Sequence, residues 1–123
     1  MDSNLMKKSG MGKVAFISTL LGSINDNGSG GSYAYRVSKA GMNMAAKSLS
    51  CVLIAKEISV RVIAPGFVAT EFGPGKEKMI GWGAMPVEVS AKGIISLIDS
   101  MTMENTGEFY CVQRDSSAKA IPW

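Results

Sequence analysis

The sequence, 123 residues long, predicts an α/β fold built on a parallel sheet, and three observations carry that expectation. Residues 13–18, Lys-Val-Ala-Phe-Ile-Ser, form a short and nearly continuous apolar run, the pattern of a strand buried on both faces of a parallel sheet. Residues 33–56 follow with Lys39, Ala40, Met42, Met44, Ala45, Ala46, Lys47 and Leu49, which favour helix. Residues 59–64, Ser-Val-Arg-Val-Ile-Ala, are rich in β-branched side chains and closed by Pro65-Gly66. Strand, helix, strand in that order requires a crossover, and the right-handed form makes the two strands parallel.

The remaining elements follow in order. Residues 1–12 read as the last turn of a helix, with Lys7 and Lys8 at the negative end of its dipole and Gly10 as its stop. The loop at 20–32 holds Gly22, Gly28, Gly30 and Gly31 with Asn25, Asp26 and Asn27, a turn composition. Its glycines lack the GxGxxG or GxxxxGK[ST] spacing, and Tyr35 stands where a phosphate would lie, so a flexible connection is favoured over a phosphate cradle. On the helix, Val37, Met44, Leu49, Val52 and Leu53 give a broad apolar surface, and Ala40, Gly41, Ala45 and Ala46 allow close approach of another backbone. Part of that surface is expected to meet a second subunit.

After Pro65-Gly66 comes an irregular, glycine-flanked stretch carrying Met79, Ile80, Trp82 and Met85; a lid over a ligand and an ordinary surface excursion are both open. A second amphipathic helix is expected over 87–103, with Val89, Ile94, Ile95, Leu97, Ile98 and Met101 inward. A third strand is expected over 107–112, and no internal repeat or low-complexity segment occurs.

Composition narrows the chemistry. With 46% hydrophobic residues the chain can fill a single core. It contains no histidine, which excludes Ser-His-Asp and Cys-His nucleophiles and histidine-ligated zinc. Cys51 and Cys111 lack CxxC spacing, so reduced core thiols in a reducing, cytoplasmic setting are expected, with no metal site. Neither a secretory signal nor a membrane span is expected. A net charge of +3, with lysines spread out and no interleaved aromatics, gives no support for nucleic-acid binding.

The chemically suggestive stretch is Tyr35-Arg36-Val37-Ser38-Lys39. On a helix, residues four apart share a face, so the phenol and the ammonium become neighbours. The positive charge then favours the phenolate, as a general acid requires. A surface tyrosine lying along a lysine stem is the alternative for the pair taken alone.

An apolar strand ending in Ser18-Thr19, a helix beginning Tyr-x-x-Ser-Lys, and a strand ending in Pro-Gly-Phe-Val-Ala-Thr occur here in order. Together they resemble the short-chain dehydrogenase/reductase family, with 32–72 and 107–123 most similar to its Sniffer and C-factor branch of small carbonyl reductases. The resemblance implies a partial, Rossmann-like doubly wound sheet: the chain is one partial domain holding the family's strands five to seven, without the nucleotide-binding half. It also implies hydride transfer between NADP or NAD, NADP favoured, and a small carbonyl or alcohol. In that scheme Tyr35 is the general acid or base, Lys39 lowers its pKa and holds the nicotinamide ribose, and Thr19 binds the substrate oxygen in place of the usual serine. Ser23 is a second candidate hydroxyl. Pro65 and Gly66 lie beneath the nicotinamide, while the Val68 backbone and the Thr70 hydroxyl fix its carboxamide. The family's catalytic asparagine belongs upstream; Asn4 does not occupy its place, and Asn43 reads as a helix residue.

Two functions are therefore expected to compete. One is a carbonyl or alcohol oxidoreductase, homo-oligomeric through helix 33–56. The other is a truncated, non-catalytic module that serves only for interaction or dimerisation. With an unpaired apolar edge on its first strand, the chain alone is expected to be weakly stable, to associate, and to bind NADPH or NADH poorly.

Overall fold

The computed structural model describes residues 12–123; the helical turn expected around Lys7, Lys8 and Gly10, and Asn4, lie outside the described residues. A four-stranded sheet runs in the order β1 (Lys13–Ile17), β2 (Ser59–Ala64), β3 (Glu108–Val112) and β4 (Ala118–Ala120). The first three strands are parallel, with Phe16 opposite Val62 and Val62 opposite Phe109, while β4 returns antiparallel to β3. Every residue of the central strand β2 is buried, as its β-branched composition requires. β1 is different: it is an edge strand, half-buried, with Ile17 47% exposed, so the expectation of burial on both faces is corrected.

Alternation along β2 sends side chains to two layers. On one side Val62 and Ala64 pack with Ala46, Phe109 and Cys111, and Phe16, Ile121 and Trp123 close the cluster. The ring centroids of Phe109 and Trp123 lie 5.4 Å apart, within the range of tilted aromatic pairs. On the other side Ile63 packs with Met85, Leu97 and Val112. Arg61 also points to this side and is buried. Its guanidinium donates to the carbonyl of Leu97 (3.2 Å) and to Ser100 Oγ (3.3 Å), and it lies 4.5 Å from the Tyr110 ring centroid. Glu108 accepts the Tyr110 hydroxyl proton and approaches Arg61 at 3.9 Å. That hydrogen bond, with burial and the carboxylate charge adding to it and Arg61 opposing, raises the Tyr110 phenol above its ordinary range.

The first layer is α1, Tyr33–Leu53, continued by a 3-10 turn, Ile54–Lys56, and ended at Glu57 with φ +55°. The helical span agrees with 33–56, with a tighter final turn. Its inner face is small and polar: Asn43, Ala46 and Ser50 are buried, whereas Val37, Met44 and Val52 are 65–70% exposed. Small inner residues let the helix lie close to the sheet, and the larger apolar groups face outward.

Between β2 and β3 lie a short helix α2, Lys76–Gly81, and the longer α3, Val87–Asp99. Helix α3 stops four residues before the expected end, and buried Met101 packs from the turn beyond it. Ile95, expected inward, is 59% exposed. The excursion before α3 is pinned at its base by Ala69 N–H donating to Met85 O (2.9 Å) and Met85 N–H donating to Phe67 O (2.8 Å). Met85 is thereby drawn into the core and is not available to cover a ligand. No helix among the described residues is long and apolar enough to cross a membrane.

Cys111 lies in the core and burial pushes its thiol up, while Cys51 is exposed on α1. Because the thiolate is the reactive form, Ellman's reagent is expected to modify Cys51 in the native chain and to reach Cys111 only in denaturant. Equal native rates at both positions would contradict this packing.

Candidate active site

The carboxyl ends of β1 and β2 open toward one side, where ligands bind in open α/β sheets. β1 pairing extends one residue beyond the strand, Ser18 N–H donating to Ile63 O (2.8 Å). The chain then turns sharply through a 3-10 turn, Leu20–Gly22, with Thr19 as its N-cap. Thr19 Oγ1 accepts the Leu21 N–H (3.3 Å), which leaves its own proton free to donate.

Tyr35 lies in the first turn of α1, 48% exposed, with no hydrogen bond to its hydroxyl among the described residues. Lys39 Nζ stands 5.7 Å from the centroid of its ring, within cation–π range. The pair is therefore adjacent, as the four-residue spacing predicts. Arg36 ties the preceding loop to this helix start, donating to Gly31 O (3.1 Å), Gly30 O (3.2 Å) and Ser29 Oγ (3.0 Å).

At the end of β2, Gly66 has φ +88°, and a Cβ there would come within 2.5 Å of Met85 Cε and 2.7 Å of Val112 O. Only glycine fits that turn without displacing backbone. Ser90 Oγ, from α3, donates to Pro65 O at 2.8 Å and fixes the turn from below. Beyond it, Thr70 Oγ1 accepts the Phe72 N–H at 3.3 Å, the arrangement already met at Thr19.

These pieces border one cleft of about 820 Å³. Thr19, Tyr35, Pro65, Gly66, Val68 and Thr70 all line it. Lys39 does not, and reaches the cleft only through Tyr35. Ser23 is excluded as the alternative hydroxyl: it is buried away from the cleft, donating to Pro122 O (2.5 Å) and accepting from Asp26 N–H (3.1 Å). None of Met79, Ile80, Trp82 or Met85 lines the cleft. Among the described residues no group of three His, Cys, Asp or Glu side chains could hold a metal.

Two residues were undervalued in the sequence. Asn43, 3% exposed, accepts the Ser18 hydroxyl proton at Oδ1 (2.7 Å) and donates from Nδ2 to Gly22 O (3.3 Å). It thus joins α1 to both sides of Thr19. Gly22 makes room for this contact, since a Cβ there would meet Asn43 Nδ2 at 2.8 Å and Lys39 Cβ at 3.1 Å. The available signal was a polar side chain one turn after Lys39 on the same helix face, since 39, 43, 46 and 50 fall in one row.

The sequence and the fold both match known proteins. The family model described as "short chain dehydrogenase" matches residues 2–80. The chain is 31% identical over 118 residues to "C-signal" of Myxococcus xanthus, covering 96% of this chain and 65% of that protein. The solved structure of the carbonyl reductase Sniffer of D. melanogaster superposes with a TM-score of 0.78 at 32% identity, covering 97% of this chain and 48% of that one. A carbonyl reductase from chicken fatty liver, solved with NADPH bound, shares the fold at a TM-score of 0.77 and 22% identity, over 98% of this chain and 48% of that one. The chain belongs to the short-chain dehydrogenase/reductase family. Within it the likeness runs to the Sniffer and C-signal branch, and the sheet is a partial Rossmann-like one. The chain spans about half to two thirds of the length of these relatives.

Asn43→Ala removes a partner from two buried polar groups. It is expected to lower unfolding stability by about 1–3 kcal/mol, read as a shifted urea midpoint with an unchanged slope. An unmoved midpoint would show that the bridge contributes nothing.

Proposed function

We propose that this chain carries the chemical half of an NADP- or NAD-dependent carbonyl or alcohol oxidoreductase, with Tyr35 as general acid in reduction and general base in oxidation. The observation that carries the reading is the convergence of Tyr35, Thr19 and the Pro65-Gly66 turn on one cleft at the carboxyl ends of two parallel strands, with Lys39 over the tyrosine ring. Thr19 donates a hydrogen bond to the substrate oxygen and stabilises charge forming there. Tyr35 delivers the proton that completes the alcohol, and the ammonium of Lys39 stabilises the phenolate left behind.

The donor set suits the nicotinamide–ribose end of the cofactor, which when bound supplies or accepts the hydride. Tyr35 and Lys39 would hold its ribose hydroxyls, Pro65 and Gly66 would lie beneath the ring, and the Val68 backbone with the Thr70 hydroxyl would fix the carboxamide. The likeness to the Sniffer and C-signal branch favours NADP. No glycine-rich phosphate-cradle spacing occurs among the described residues, and the family resemblance implies that a separate nucleotide-binding half would hold the rest of the cofactor. A small carbonyl compound or alcohol in a reducing, cytoplasmic setting completes the reading. Joined to such a half, the chain is expected to reduce a ketone with NADPH, and Tyr35→Phe to lower kcat by about a hundredfold or more with the fold unchanged. A variant that retained the parent rate would overturn the assignment.

A second reading is a non-catalytic module that pairs through the outer face of α1, and an exposed apolar row on that face favours it. Tyr33, Val37, Met44 and Val52 form an exposed apolar row there. Under either reading the chain is expected to sediment above 13.0 kDa with rising concentration, and Val37→Lys with Met44→Lys to restore the monomer. A parent chain that sediments as a monomer throughout would remove this surface as an interface.

A further inference from the structure

The chemistry of the cleft wall narrows the substrate. Of the described residues that line it, Ser18, Thr19, Tyr35, Thr70 and Ser90 are polar, and no side chain of Asp, Glu, Lys or Arg is among them. Two of those hydroxyls are already engaged: Ser18 donates to Asn43 and Ser90 to Pro65 O. The remaining three, Thr19, Tyr35 and Thr70, each retain a proton to donate, since both threonines only accept from a backbone N–H two residues on. Among the described residues the cleft wall therefore offers neutral donors, and the Lys39 ammonium stands against the Tyr35 ring without lining the wall.

Its remaining surface is apolar. Leu20 and Leu21 on the turn after β1, Phe67 after the glycine turn, and Val87 at the start of α3 are 36–49% exposed, and all four line the same cleft. Exposed apolar groups gathered around a concave site with a few convergent donors are the signature of a small-molecule pocket. A carboxylate or phosphate brought against the apolar wall of Leu20, Leu21 and Phe67 would lose hydration, and none of the described residues lining the cleft is a cation that could replace it.

We infer that the substrate is an uncharged carbonyl compound whose apolar flank lies against Leu20, Leu21 and Phe67, and that carbonyl compounds bearing a carboxylate or phosphate are rejected. This deepens the oxidoreductase reading and rests on it for the word substrate, but the recognition itself is a matter of binding. Thr19, Tyr35 and Thr70 face the carbonyl and cofactor end, and the two leucines and Phe67 sort candidates by the polarity of the remainder.

The test is binding to the 123-residue chain followed by amide NMR, with acetophenone as the neutral probe and 4-acetylbenzoate as its anionic counterpart. Acetophenone is expected to shift the amides of Leu20, Leu21 and Phe67, and the anion to bind about tenfold more weakly or worse. Leu21→Ala should weaken acetophenone about tenfold, and Phe67→Ala serves the same purpose if the leucine variant does not fold. Equal affinity for the two probes, shifts confined to other surfaces, or no binding of either would overturn the inference. Hydride transfer separates the two claims. Selective binding with no reduction in the chain joined to a nucleotide-binding half would sink the oxidoreductase reading and leave the pocket's selectivity standing. Equal reduction of both probes would do the reverse.

Discussion

The candidate site depends on one buried carboxamide. Asn43 reaches from α1 to the Ser18 hydroxyl on one side of Thr19 and to the Gly22 carbonyl on the other. A strand end and a helix start separated by a glycine-rich loop have no covalent reason to keep a fixed spacing, and loop closure alone leaves them free to drift. The carboxamide removes that freedom in a place from which water is excluded, where an unmade hydrogen bond is costly. Thr19 and Tyr35 are then held on the same cleft by the helix that also carries Lys39.

The same economy of space governs the second wall. Gly66 allows the chain to leave β2 in a conformation closed to other residues, and Ser90 from α3 grips the carbonyl just before it. Gly93 performs a related service on α3, where a Cβ would meet Val112 Cγ1 at 2.4 Å. Helices on both faces thus approach the sheet through small residues, and large apolar groups are displaced to the outer face of α1 and to the rim of the cleft. That displacement leaves apolar side chains exposed on the outer face of α1 and around the cleft.

Much of the frame was legible because period and composition agree there. The β-branched run of β2, the apolar run of β1 and the helix formers of α1 each specify one element, and the Tyr35–Lys39 spacing translates directly into adjacency on a helix. Other features were illegible for physical reasons. β4 is three exposed residues, Ala-Lys-Ala, and pairs only because the chain reverses after β3, which no periodicity announces. Ile95 and Met101 fit an inward helical stripe, yet Ile95 lies on the outer side of α3, and because α3 ends at Asp99 Met101 packs from the turn beyond it. The half-exposed state of β1 reflects its place at the sheet edge, which an apolar run does not reveal. Asn43 was read as an ordinary helix residue because its two partners lie 21 and 25 residues away in the chain.

In the proposed reaction the hydroxyls of Tyr35 and Thr19 converge on a single carbonyl oxygen. The ¹³C spectrum of a carbonyl-labelled ketone bound to the protein tests it most directly, because each donated hydrogen bond deshields the carbonyl carbon. Binding is expected to displace the resonance downfield by an amount that shrinks in Tyr35→Phe, shrinks in Thr19→Val, and vanishes when both are changed. A bound ketone whose carbonyl resonance stayed at its free position, or ignored both substitutions, would contradict it.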